Sequence, residues 1–88
     1  MSRDIKFTAA AWNSYTGWQG QDRKTLKRIN VLIEAARRTP FDGIGKPEPL
    51  AGNLTGFWSR RIDEANRLVY AFEDDELIII TCRFHYED

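Results

Sequence analysis

The residues of this chain that could carry acid–base chemistry lie in its second half. His85 is the single histidine, and histidine is the side chain whose unperturbed pKa lies closest to neutral pH, so a proton transfer at pH 7 would use it first. Glu48 lies between Pro47 and Pro49, and the two prolines restrict the backbone on both sides of it. A carboxylate held at a fixed position is what a general base requires.

Both residues also have a purely structural interpretation. Glu48 could be a solvated carboxylate in a stiff loop, and His85 could be an ordinary surface residue at the end of a strand. The residue types and their spacing leave these alternatives open, because neither proline-flanked acids nor strand-end histidines are specific to enzymes.

Three arginines on the predicted strands could bind an anion. Arg67 begins one strand, and Arg60 and Arg61 lie on the strand before it. A guanidinium group can clamp a phosphate through paired hydrogen bonds. The alternative is that these side chains form salt bridges with the nearby acids Asp63 and Glu64.

The composition excludes several kinds of site. The single cysteine, Cys82, excludes an intrachain disulfide and a cysteine-based zinc cluster, and it fits a reducing cytoplasm. A lone histidine cannot build a histidine-rich metal site, so we expect neither a metal nor a cofactor. No apolar run approaches the length of a membrane span. A chain of 88 residues supports one domain, which we expect to span residues 1–88. We expect the protein to be cytoplasmic.

The charges are unevenly distributed along the chain. Residues 1–67 contain twelve Lys and Arg against seven acids, a net charge of +5, whereas residues 68–88 contain only Arg83 against six acids, a net of −5. A basic face could bind a polyanion through its phosphates, although the same charges could simply coat helix surfaces. Near the C-terminus, Phe84 and Tyr86 could stack on a base of single-stranded RNA or lie in the core.

Two helices are predicted after a short strand, Asp4–Phe7. Thr8 can cap a first helix that ends near Gly20, with apolar residues at three-residue spacing. Asp22 can cap a second helix, which Thr39-Pro40 stops, since proline disfavours helix in the residue before it. The apolar face of the second helix consists of Leu26, Ile29, Ile33 and Ala36. The apolar residues of the first helix are Trp12, Tyr15 and Trp18, of which we expect the two tryptophans in the core.

The remaining chain is predicted to be a long loop followed by three strands. Residues 40–55 contain three prolines and several glycines, which disfavour helix and central strand, and long loops in small domains are often functional. The strands are residues 57–62, 67–72 and 77–85, joined by short polar turns typical of an antiparallel meander. The sequence therefore predicts an α+β fold of the order βααβββ, with two helices on one face of a small, mostly antiparallel sheet.

Four sequence blocks, in this order, resemble the YoeB (Txe) toxins of the RelE superfamily. They are PFDGIGKPEPL (residues 40–50), LTGFWSRRI (54–62), NRLVY (66–70) and CRFHY (82–86), supported by Trp18-Gln19 and Arg37-Arg38-Thr39. The resemblance covers nearly the whole chain. It implies a RelE-like fold.

The resemblance also implies an activity, namely ribosome-dependent cleavage of messenger RNA in the decoding site, without a metal. It further implies neutralisation by a YefM-like antitoxin and assembly into a homodimer. The matching catalytic residues would be Glu48 as general base, Arg67 on the phosphate, His85 as general acid and Tyr86 as a positioning residue. Further contacts to RNA phosphates are expected from Arg61, Arg60, Lys46 and Arg83.

Two other functions are compatible with parts of the sequence. Related toxins of the ParE kind inhibit a topoisomerase by binding and need no catalytic histidine. A non-catalytic RNA-binding module would need only the basic second helix. The combination of an acid, an arginine, a histidine and a tyrosine at the matching positions favours the nuclease.

A common site for Arg67 and His85 places a condition on strand register. Side chains alternate along a strand, and directly opposed residues of an antiparallel pair share a face. A two-residue turn with a regular ladder would pair Arg67 with Cys82 and put His85 on the other face. We therefore predict either a three-residue loop, which pairs Arg67 with Arg83, or a bulge in the last strand.

Overall fold

In the computed structural model, which describes residues 3–85, two helices pack on one face of a five-stranded sheet. The helices are α1 (Ala9–Gln21) and α2 (Arg23–Arg38), and the strands are β1 (Asp4–Phe7), β2 (Glu48–Pro49), β3 (Trp58–Arg61), β4 (Arg67–Phe72) and β5 (Glu76–Phe84). The strand order is β1-β5-β4-β3-β2. Only β1 and β5 run parallel, and the other three pairings are antiparallel. The predicted α+β class and the mostly antiparallel sheet are confirmed.

Side-chain caps define where the helices begin. The Thr8 hydroxyl accepts a hydrogen bond from the Ala11 N–H, and the Asp22 carboxylate accepts bonds from the N–H groups of Lys24 and Thr25. Such caps satisfy N–H groups that have no partner within the helix. Asp22 also ends α1, which continues one residue beyond Gly20. Within residues 3–85, neither helix has the length and apolar character needed to cross a membrane.

The core lies between the helices and the inner face of the sheet. Its helical side consists of residues that are at most 5% exposed: Ile29, Leu32, Ile33 and Ala36 of α2, with Ala11 and Trp18 of α1. Leu26, the fourth residue of the predicted apolar face, is only partly buried against this core. Burying one large apolar side chain contributes about 1.5–3 kcal/mol, so a domain this small depends on each of them. The expectation for Trp12 is wrong: it is 52% exposed, and its ring meets Phe7 edge to face and stacks on Tyr15.

The segment predicted to be a loop contains a fifth strand. Glu48 pairs with Ser59 and Pro49 pairs with Trp58, so β2 forms the edge of the sheet beside β3. A proline is tolerated there because an edge strand leaves one side of its backbone without a partner strand. The prediction of a loop over 40–55 is therefore wrong at these two residues, which include the candidate base, and at Gly52–Leu54, which form a short 3-10 helix.

The β4–β5 connection decides the register of the last strand. The N–H of Glu73 donates to the carbonyl of Glu76 at 2.8 Å, so the turn has two central residues and the predicted three-residue loop is wrong. The bulge is confirmed, since β5 contains one extra residue relative to β4 at each of two register shifts. Together the shifts move the partner of Arg67 from Cys82, expected for a regular ladder, to Phe84.

Candidate active site

Glu48 and Arg67 meet on the face of the sheet that the helices leave open. Arg67 Nη1 lies 3.3 Å from Glu48 Oε1 and 3.5 Å from Ser59 Oγ. Strand pairing produces this contact: Glu48 is opposite Ser59, and Arg61, two residues further along β3, is opposite Arg67. Directly opposed residues share a face, so all four side chains are on the same side of the sheet.

His85 reaches the same region by leaving the ladder. β5 ends at Phe84, and strict alternation would turn His85 away from Arg67. Instead, His85 Nδ1 lies 2.5 Å from the Ala65 carbonyl oxygen. A carbonyl oxygen can only accept, so Nδ1 is the donor and Nε2 is the ring atom that can exchange a proton with a substrate.

A cavity of about 330 Å³ lies beside Arg67 and His85. Its lining residues are Glu64, Ala65, Arg67 and His85. Arg67 thus borders the cavity on one side and contacts Glu48 on the other. A carboxylate, a guanidinium and an imidazole are contiguous, which is the set needed to remove a proton, stabilise an oxyanion and return a proton.

The turn that holds His85 is built around Asp63. Burial raises the pKa of the Asp63 carboxyl, whereas hydrogen bonds from the N–H groups of Ala65 and Asn66 lower it, as does the nearby charge of His85. The lowering effects prevail, so the pKa lies below its usual value. The carboxylate therefore fixes the Ala65 peptide, whose carbonyl orients the imidazole.

We expect the Asp63→Asn variant to be less stable than the wild type at pH 7. A carboxyl whose pKa is depressed in the folded state stabilises the fold above its unfolded-state pKa, and that contribution is lost as the pH falls through the folded-state value. The difference in free energy of unfolding between the two proteins should therefore shrink as the pH falls below 3.8, the ordinary pKa of this carboxyl. Urea unfolding across this pH range measures it, and a difference independent of pH would contradict the prediction.

Two further predicted contacts are exposed near this site. Arg61 shares the face of Arg67, and its carbonyl accepts a hydrogen bond from the Arg28 side chain. Lys46 precedes Pro47 in the loop and adopts a left-handed conformation, with a φ of 51°. Tyr86, the predicted positioning residue, lies outside residues 3–85.

The prediction for Arg60 is corrected by its burial. Its side chain is fully buried, and its guanidinium donates to the Tyr70 hydroxyl and to the main-chain carbonyls of Thr39, Asp42 and Ile44. A group with its donors committed inside the protein cannot reach a phosphate at the surface. Residue type and spacing did not distinguish it from Arg61, although alternation along β3 separates the two faces.

The side chain of Arg83, the fourth predicted phosphate contact, packs against α1 and not beside Arg67. The guanidinium carbon lies 4.0 Å from the centre of the Trp18 ring, and Nη2 donates to the Gln21 side chain at 2.6 Å. A pairing of Arg67 with Arg83 would place the two side chains on one face, but the two register shifts pair Arg67 with Phe84 instead. Arg83 therefore anchors the end of β5 to the helix.

Other reactive groups of the described residues lie elsewhere. Burial raises the pKa of the Cys82 thiol to about 11, so the thiol is protonated at neutral pH. Within residues 3–85, one cluster of three carboxylates has metal-ligand spacing: Glu73, Asp75 and the partly buried Glu76. It lies at the β4–β5 turn, at the opposite end of β4 from Arg67. A cavity of about 480 Å³ beside the α1–α2 junction is lined by Gln19, Arg23, Leu26 and Lys27, none of which is a carboxylate or an imidazole.

Two groups of the site were missed in the sequence. The Ala65 carbonyl has no side-chain signal, since any residue could supply it. Ser59 is buried opposite Glu48 and could have been found only by recognising β2. The Asp63 turn was visible in principle, because aspartate at the first position of a turn bonds the N–H groups that follow it.

Comparisons with a family model and with known proteins point to the same family. The sequence model of a family described as "YoeB-like toxin of bacterial type II toxin-antitoxin system" matches residues 7–86. Toxin YoeB of Synechocystis is 59% identical over 83 residues, which is 94% of this chain and 96% of that protein.

Solved structures agree with the sequence matches. The YoeB dimer from Staphylococcus aureus superimposes with a TM-score of 0.90 at 41% identity, covering 98% of this chain and 100% of that one. A heterotetrameric YoeB–YefM toxin–antitoxin complex from the same organism contains a chain with a TM-score of 0.86 at 41% identity and the same coverage.

Proposed function

This chain belongs to the family of YoeB-like toxins of bacterial type II toxin–antitoxin systems, in the RelE superfamily, and we propose on that basis that it is a ribosome-dependent endoribonuclease that cuts messenger RNA. The observation that carries the proposal is the contact of Arg67 with Glu48 on one side and with the cavity of His85 on the other. A toxin that acted only by binding would not need a base, an anion-stabilising group and an acid side by side.

The first half of the reaction uses the nucleophile that RNA itself carries. Glu48 takes the proton of the 2′-hydroxyl while that oxygen attacks the adjacent phosphorus, which forms the bond of a 2′,3′-cyclic phosphate. Arg67 donates hydrogen bonds to the non-bridging oxygens, where negative charge accumulates in the transition state. Because Arg67 pairs with Glu48 in the free protein, the incoming phosphate takes over part of the arginine's hydrogen bonding.

The second half requires a proton for the leaving group. The bond from phosphorus to the 5′-oxygen breaks, and the protonated imidazole of His85 delivers the Nε2 proton to that oxygen. The Nδ1 hydrogen bond to the Ala65 carbonyl keeps Nε2 pointed away from the backbone. After one turnover Glu48 holds a proton and His85 lacks one, and exchange with water restores both. This sequence of steps uses no metal ion.

Phosphate contacts outside the reacting atoms fall to Arg61 and Lys46, which are exposed beside Arg67 and Glu48. Tyr86 follows His85 directly and remains our proposed positioning residue. We propose the ribosomal decoding site as the place of cleavage because the chain belongs to this family. This location in turn implies the cytoplasm.

Partners are proposed from the similar proteins. The Staphylococcus aureus relatives are described as a YoeB dimer and as a YoeB–YefM complex, so we propose a homodimer and a YefM-like antitoxin for this chain. An acidic antitoxin segment that folds on binding would complement the net charge of +5 in residues 1–67. It would lie along the basic surface or displace the residues around His85.

The test is cleavage of a defined message on purified ribosomes, with the cut ends mapped. We expect cuts within the ribosome-bound codon and none after an equimolar YefM-like antitoxin is added. Protein dialysed against a chelator before mixing should cut equally well, since the proposed steps need no protein-bound metal. RNA binding without cuts would indicate a binding module, and inhibition of a topoisomerase without cuts would indicate a toxin of the ParE kind.

A further inference from the structure

A buried arginine ties together the loop that leads to the candidate base. The Arg60 guanidinium donates to the carbonyls of Thr39, Asp42 and Ile44 at 2.5, 2.9 and 3.1 Å. Its Nε donates to the Tyr70 hydroxyl at 3.1 Å, and that hydroxyl donates to the Pro40 carbonyl at 2.8 Å. Four carbonyls within residues 39–44 are therefore held by two side chains of the sheet.

The same loop has a fixed exit toward β2. The N–H of Arg61 donates to the Gly45 carbonyl at 2.6 Å. Gly45 itself has a φ of 84° and lies close to both α2 and the sheet, since an added Cβ would be 2.7 Å from Leu32 and 3.1 Å from the Cβ of Arg60. Three residues later, Glu48 pairs with Ser59, the neighbour of Arg60 in β3.

Within residues 3–85, no ion pair compensates for the burial of the Arg60 guanidinium. Among the described residues, no carboxylate lies within ion-pair distance of Arg60, although its side chain is fully buried. Placing a charge in the interior is costly unless hydrogen bonds compensate for lost hydration. The hydrogen bonds to the loop carbonyls provide this compensation. A well-packed apolar residue at this position would avoid the desolvation cost of the charge, but it would leave those carbonyls without donors.

We propose that Arg60, with Tyr70, is a positioning residue that sets the location of the Glu48 carboxylate by fixing residues 39–45 against the sheet. The inference rests on the proposed function, since it assigns Glu48 the role of base. Arg60 touches neither Arg67 nor the cavity of His85 in the contacts above, so its influence on cleavage passes through Glu48.

The test uses variants that loosen the loop without emptying the core. Tyr70→Phe removes one hydroxyl, and Arg60→Lys keeps the charge but not the forked set of donors. We expect the single-turnover rate at saturating ribosomes to fall about 10–100-fold, since small misplacements of a reacting group cost this much. The half-saturating ribosome concentration should change much less than the rate, because Arg61 and Lys46, the proposed phosphate contacts, are present in both variants.

A matched control separates positioning from loss of stability. Tyr15→Phe also removes a hydroxyl, one that bonds the Asn30 side chain at 2.6 Å, but in α1 and away from the loop. Thermal unfolding is measured for each variant, and the control should retain the wild-type rate. If the control lost as much activity as Tyr70→Phe, the effect would be one of general stability and the inference would be overturned.

A double-variant cycle provides the decisive result. If the network acts through Glu48, Tyr70→Phe should have no further effect on the rate of a Glu48→Gln protein. Full additivity of the two losses would overturn the inference while leaving the proposed function intact. An unchanged rate for Glu48→Gln alone would instead remove Glu48 from the mechanism, and with it the proposed function as drawn.

Discussion

The His85→Gln variant should lose about 10²–10⁴-fold of the single-turnover cleavage rate, the usual contribution of one general acid. Glutamine keeps an amide N–H that can donate to the Ala65 carbonyl, but it cannot transfer a proton. His85 is exposed and lies outside the core, so the thermal unfolding temperature should change little. The rate is measured on ribosomes that carry a defined message.

A modified substrate tests the role of His85 and not merely its presence. An RNA whose leaving 5′-oxygen is replaced by sulfur needs no acid, because a thiolate departs without protonation. The His85→Gln protein should cut this RNA at nearly the wild-type rate. Glu48→Gln is the matched control, since loss of the base should slow both substrates. Equal losses of His85→Gln on both substrates would exclude His85 as the general acid.

A single 2′-deoxy substitution on the 5′ side of the cut should abolish cleavage at that position. The proposed reaction has no nucleophile other than the 2′-hydroxyl, so its removal leaves nothing for Glu48 to activate. The wild-type product should carry a 2′,3′-cyclic phosphate, which mass spectrometry distinguishes from a 3′-hydroxyl end.

The control for this experiment is the same substitution one nucleotide further along, on the 3′ side of the cut. It changes the sugar next to the leaving oxygen but not the nucleophile, so cleavage should persist. Continued cutting of the first substrate, with a 5′-phosphate on the downstream product, would mean that water is the nucleophile and that the mechanism is hydrolysis.

Local signals in the sequence were sufficient for most of the fold. Thr8 and Asp22 are residues that cap helices, and they do so here. The apolar face of α2 follows from periodicity, and the strands around Tyr70 and Ile79 follow from their β-branched and aromatic residues. These predictions succeeded because caps and periodicity depend on neighbours within a few positions. The prediction that Trp12 lies in the core was wrong, because its exposure depends on which distant segments pack over it.

The candidate site depended on contacts between distant segments. Glu48 acquires a fixed position by pairing with Ser59, and a two-residue strand containing proline has no periodicity to reveal it. The two shifts in β5 decide where His85 lies, and extra residues in a ladder leave no mark in one sequence. The catalytic roles of Glu48, Arg67 and His85 stay predictions that the cleavage experiments address.

The sequence by itself determined the family, the helices, the central strands and the residue types available for proton transfer, because each of these is a property of residues near one another in the chain. Only the tertiary structure decided which arginine serves which purpose. Arg61 and Arg60 are adjacent in β3 and chemically identical, yet alternation exposes one beside Arg67 and buries the other among loop carbonyls. The direction of a side chain is fixed by the face on which the core forms, and that face exists only after distant segments have packed.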